Sequence, residues 1–127
     1  MAKIDLIQTV QDNPSSYCLI RFNLPKTHLE TMMEAIHEAN GGRMGHYDHC
    51  FFIQEGTGYF RPNDLSKPYL GIKGRLELVL EYKVETICPV EHLFFVLESI
   101  KQAHPYEECS IEVIPLMKQG IKSTVQT

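Results

Sequence analysis

Two stretches of this chain carry the same pattern 64 residues apart. Pro25-x-x-His28-Leu29 is matched by Pro89-x-x-His92-Leu93, and the match continues through Met33 with Leu97, Ile36 with Ile100 and Ala39 with Ala103. A strand pattern precedes each copy. Tyr17 to Phe22 sets Cys18, Ile20 and Phe22 on one face and Arg21 on the other, while Leu76, Leu78, Leu80, Tyr82 and Val84 alternate with Glu77, Glu81, Lys83 and Glu85. Strand, proline turn, helix, loop and strand thus occur twice. Two such units joined by a hairpin make the β-α-β-β-α-β, ferredoxin-like α+β fold, with an antiparallel sheet, both helices on one face and an extended hairpin between the second and third strands.

Within the first unit, Thr27-x-x-Glu30 reads as a capping box and predicts a helix start. Leu29, Met32, Met33 and Ile36 share a face opposite Glu30, Glu34, His37 and Glu38, and Gly41-Gly42 supplies the left-handed residue that stops the helix near Ala39. Cys50 to Ile53 reads as a strand, Glu55-Gly56-Thr57-Gly58 as a turn, and Pro62 to Gly74 as a long loop. The second helix carries Leu93, Leu97 and Ile100 and ends near Ala103, because His104 precedes a proline. Ser110 to Pro115 is the last strand. Residues 1–16 read as an N-terminal extension of a turn or two closed by Asp12-Asn13-Pro14, residues 17–116 as the folded domain, and residues 117–127 as a frayed polar tail.

A chain of 127 residues holds one core. No apolar run approaches the roughly 20 residues of a membrane span, and the N-terminus lacks a signal-peptide pattern, so a cytoplasmic location with no membrane partner is expected. A net charge of −4 without a Lys/Arg cluster excludes a phosphate-tracking surface, and so nucleic acid. Cys18, Cys50, Cys88 and Cys109 show no C-x-x-C spacing and sit beside strand patterns, as reduced structural thiols do.

The densest chemistry lies in Gly41 to Cys50. His46, Asp48 and His49 are donors that suit zinc, manganese or iron. On an extended strand, however, His46 and Asp48 face one way and His49 the other, so at most two converge. A backbone-fixing role, a metal and another ligand all stay open there. His104-Pro105-Tyr106-Glu107-Glu108 reads either as a helix terminator or as half a site, in which His104 and Glu107 or Glu108 complete what His46 or His49 begins. The two helices of this topology run antiparallel, so these loops lie at opposite ends of the sheet and meet only across a subunit boundary. Gly56-Thr57-Gly58 has no helix after it and is no phosphate cradle. His49-Cys50 and His104-Cys109 are near in sequence, which supplies no catalytic geometry. His28 and His92 read as surface residues.

Gly41 to Cys50, Glu55-Gly56-Thr57-Gly58-Tyr59-Phe60-Arg61-Pro62 and His104 to Glu108 resemble, in order, three motifs of the Nif-three-like proteins (NGG-interacting factor three, or dinuclear metal centre, family). The similarity covers residues 17 to 116, the stretch corresponding to that family's middle domain. It implies a PII/CutA-like domain that forms a homo-oligomer, with a trimer favoured. In the family, the dinuclear site lies on motifs flanking this stretch, so no metal ligand carries over and the chain reads as the insert standing alone. The expectation is a non-catalytic oligomeric ligand-binding or regulatory module with no cofactor and ligand-binding residues His46, Asp48, His49, His104, Glu107 and Glu108. The alternative is a divalent-metal-binding protein with metal-dependent hydrolytic activity. A protein partner stays open.

Overall fold

The computed structural model describes residues 16–117. The expected N-terminal extension, apart from Ser16, and the tail beyond Met117 lie outside the described residues. Cys18, Ile20, Phe22 and Leu24 alternate with more exposed neighbours along β1 (Tyr17–Pro25) and supply one wall of the core. At Pro25 the chain enters a single 3-10 turn, Lys26–His28, and then α1, Leu29–Glu38. The same happens 64 residues later: Pro89, the turn Val90–His92, and α2, Leu93–Ala103.

The copies agree in backbone conformation. Pro25 has φ −58° and ψ 141° against −58° and 133° for Pro89, and His28 has −109° and 6° against −105° and 1° for His92. Proline's fixed φ therefore sets the entry to both helices. The capping box does not form, because Thr27 lies inside the 3-10 turn; its Oγ1 meets His28 Nδ1 at 2.8 Å, and neither helix has a side-chain cap. At the other end Asn40, with φ 70°, takes the left-handed position expected of the glycines. Gly41 is there for space: a Cβ would stand 2.7 Å from Ile36 Cγ2 and 3.1 Å from Val96 Cγ2, where α1 meets α2.

The remaining strands are β2 (Phe51–Phe60), β3 (Glu77–Pro89) and β4 (Ile111–Pro115). They form one antiparallel sheet in the order β2-β3-β1-β4, the ferredoxin-like arrangement. Met32 and Ile36 from α1 and Leu93, Val96 and Ile100 from α2 close the core against Ile20, Phe22, Leu24 and Val84. All four cysteines are unpaired thiols. No described helix is long and apolar enough to cross a membrane.

Two expectations fail at the hairpin. β2 runs unbroken through Glu55–Gly58, so no turn forms there. Gly58 lies where a Cβ would collide with the carboxylate of Glu81 on β3. The burial phase of β3 also slips along its length. Val84, Thr86 and Cys88 are buried toward the helices, but Leu78 and Leu80 on the same face are exposed, and Glu81 on the opposite face is only 7% exposed. Length explains the slip. Helices of 10 and 11 residues reach about 15 Å, whereas 13 strand residues reach about 43 Å. The helices therefore end near Tyr82. Beyond it the Glu81 face is lined by the loop that follows β2 and by Tyr106.

Candidate functional site

Residues 41–50 connect α1 to β2 and are pinned at both ends. Gly42 N–H donates to the Ile87 carbonyl at 2.7 Å, Cys50 N–H to the Gly42 carbonyl at 2.8 Å, and the Thr86 hydroxyl to the Cys50 carbonyl at 2.9 Å. Between them Met44 and Tyr47 exchange reciprocal backbone bonds of 3.0 Å, which leaves His46 exposed at the tip of a tight turn. His46 is not part of the donor grouping that Asp48 and His49 join.

The segment before Phe51 is not extended, and this corrects the strand geometry expected for it. His49 holds φ 52°, a left-handed conformation unusual for a residue with a side chain. The twist brings its ring to the side of Asp48, where Nδ1 donates to Asp48 Oδ1 at 2.7 Å and Nε2 donates to Glu34 Oε1 of α1 at 2.8 Å. Its two carboxylate partners, Asp48 first and Glu34 second, hold the imidazole above its ordinary pKa. The bond to His49 holds Asp48 below the usual carboxylate range, with smaller pulls from His37 and Arg43.

The ring of His37 stacks on that of His49, centroids 4.1 Å and planes 23° apart. His37 Nδ1 is buried and meets no hydrogen-bond partner. One donor atom each from His37, Asp48 and His49 lie within 4.8 Å of one another, the one grouping of this kind among the described residues. In the sequence Glu34 and His37 fall only on the helix face opposite Leu29, Met32, Met33 and Ile36. Their three-residue spacing on the face leading into a His/Asp loop was the signal that could have found them.

The second segment is built differently. His104 is 7% exposed, its Nε2–H donates to the Asn23 carbonyl at 2.6 Å, and the Tyr106 N–H donates to its Nδ1 at 3.2 Å. Both ring nitrogens are therefore satisfied by the neutral form, and burial holds the pKa below its ordinary value. The Tyr106 hydroxyl donates to Glu81 Oε2 at 3.1 Å, and burial followed by the Glu81 charge pushes the phenol's pKa up. Glu107 Oε2 accepts from the Lys67 N–H at 2.6 Å, and Glu108 is exposed. Around them lies a cleft of about 580 Å³ lined by Tyr59, Phe60, Tyr69, Glu81, Tyr106 and Glu107.

The two segments do not meet. Gly42 binds at Ile87, opposite Leu19, and His104 binds at Asn23, four residues further along β1. That separates them by about 13 Å along the strand.

No family model matches the chain. It is 38% identical over 106 residues to the GTP cyclohydrolase 1 type 2 homolog of Halalkalibacterium halodurans, covering 84% of this chain and 28% of that protein. The Bacillus subtilis protein of the same description is 39% identical over 93 residues, covering 73% and 25%. The crystal structure of a Bacillus cereus protein related to NIF3 superposes with a TM-score of 0.70 at 36% identity, covering 82% of this chain and 26% of that one. The chain is a NIF3-like domain. It spans about a quarter of the length of these relatives. The domain also shares its fold with the periplasmic divalent cation tolerance protein CutA of Archaeoglobus fulgidus, at a TM-score of 0.59 and 18% identity over 84% of this chain and 88% of that one. That likeness shows a CutA-like fold for the NIF3-like domain, as the repeat and the resemblance implied.

Proposed function

We propose that this NIF3-like domain is a non-catalytic module that works as a homo-oligomer, with three subunits favoured, and holds its ligand between subunits. One observation carries the reading. Leu78 and Leu80 are 56% and 60% exposed, and Tyr59, directly across the hairpin from Leu78, is 66% exposed. Leu76 extends the same apolar row toward the loop. The row continues the core face of β3 past the reach of the helices, and contiguous exposed apolar surface of this kind is characteristic of contact with another chain. We take that chain to be a second copy, consistent with the oligomer that the family resemblance implies.

Two further points support the reading. The segments around His49 and His104 lie apart within one chain, so a ligand touching both would bridge subunits. Asp48 and His49 would then face Glu107 and Glu108 of a neighbour, with His104 holding its own loop in place. His49 is also committed to two carboxylates and His104 to backbone groups, which leaves neither poised as a general base. Sedimentation velocity at micromolar concentration tests the proposal. A species of several chain masses is expected, and a folded protein that stays strictly monomeric overturns it.

A further inference from the structure

We propose that His37, Asp48 and His49 form a divalent-metal site of the zinc class, with Glu34 as the positioning residue that orients His49. The ligands would be one ring nitrogen of His37, one carboxylate oxygen of Asp48 and Nδ1 of His49.

Three independent features of the cluster point the same way. The first is the donor set. Two imidazoles and a carboxylate suit zinc or cobalt, whereas calcium and magnesium select all-oxygen shells. Three protein donors on such an ion leave one position for water or a small ligand. The second is the arrangement around His49. With Nδ1 turned to Asp48, its other nitrogen donates to Glu34 Oε1 at 2.8 Å, which is the carboxylate–histidine pairing that fixes ring orientation behind a metal. The third is the unmet demand at His37. Its buried Nδ1 has no partner, and buried polar atoms in native proteins nearly always have one. The left-handed conformation of His49 adds that backbone strain, φ 52°, is held where it brings this ring to the cluster.

Binding requires His49 Nδ1 to give up its proton and its bond to Asp48. It also requires the His37 ring to turn out of its stack on His49, because an imidazole meets a metal in the plane of its own ring. Neighbouring ligands on a tetrahedral zinc ion stand about 3.3 Å apart at Zn–N and Zn–O distances near 2.0 Å. Nδ1 of His49 and Oδ1 of Asp48 must open from their present 2.7 Å, and the widest donor pair must close from at most 4.8 Å. Asp48 lies exposed in a loop, so its carboxylate can turn without disturbing the core. All four residues belong to one chain, so the site forms in a monomer as well as in an assembly. It stands or falls separately from the oligomeric reading.

The test is titration of chelator-treated protein with cobalt(II), read by visible absorption, and with zinc(II), read by calorimetry. Binding of one ion per chain is expected, with the intense visible bands of low-coordinate cobalt. His37→Ala and Asp48→Asn should abolish those bands, and Glu34→Gln should weaken binding about 10-fold or more. His92→Ala should leave binding unchanged. Far-ultraviolet circular dichroism confirms that each variant is folded, and His37→Gln serves where His37→Ala is not. Absence of micromolar binding by the folded protein overturns the proposal, as does binding that survives both His37 and Asp48 substitutions.

Discussion

The hydroxyl of Tyr106 donates to Oε2 of Glu81 at 3.1 Å, tying the loop after α2 to the middle of β3. Glu81 is 7% exposed, and its other oxygen lies against Gly58. Tyr106→Phe removes the donor and leaves a buried carboxylate short of a partner. A loss of about 1–2 kcal/mol is expected in urea unfolding. Glu81→Gln in the Tyr106→Phe background should recover part of it, because an amide costs less to bury than a charge. Unchanged stability in Tyr106→Phe would show that the bond contributes nothing.

Gly41 and Asn40 separate steric need from conformational need at the end of α1. Gly41→Ala drives a methyl group into Ile36 and Val96 and should cost about 1–3 kcal/mol through overpacking. Asn40→Gly keeps the left-handed conformation without a Cβ and should stay within about 0.5 kcal/mol of the parent. Thermal melts of both variants check the contrast, and equal effects would contradict it.

His104 links stability to pH. Its folded pKa lies below the ordinary value of about 6.5, so above that pH both states hold it neutral and its contribution is complete. As pH falls below 6.5 the unfolded chain takes up the proton first, and the contribution is lost as pH falls through the folded value. Wild type minus His104→Gln, compared by urea unfolding at pH 7.5 and pH 5, should therefore show a smaller stability difference at pH 5. A difference that is constant or grows toward acid contradicts the assignment.

Leu78→Glu combined with Leu80→Glu tests the hairpin face. Both side chains are exposed in the single chain, so the folded monomer should lose no more than about 0.5 kcal/mol per site. The variant should sediment as a folded monomer under conditions where the parent is larger. Retention of the parental assembly would show that subunits meet elsewhere.

The parts of the fold legible in the sequence are those governed by short-range chemistry. Alternation gave β1, and the shared Pro-x-x-His-Leu pattern gave both helices and hence the strand order. What was hidden depends on partners distant in sequence. Glu81 reads as a solvated charge until Tyr106 and Gly58 are placed beside it, and Leu78 and Leu80 read as core because their alternation continues past the point where the helices end. The metal-donor grouping was half visible. Asp48 and His49 stand out in their loop, but His37 reaches them only because His49 adopts a left-handed backbone, and local propensity for a non-glycine residue argues against that conformation.

The sheet order has one more consequence. Cys18 stands opposite Pro115, with β1 and β4 antiparallel, so the chain enters the fold and leaves it at the same corner of the sheet, with backbones about 5 Å apart. A unit whose entry and exit adjoin needs only a narrow doorway in a host. It can be spliced between two residues of a surface loop without prying that loop apart, and its own ends can be sewn together and reopened elsewhere, for instance in the loop between β2 and β3, with the sheet left intact.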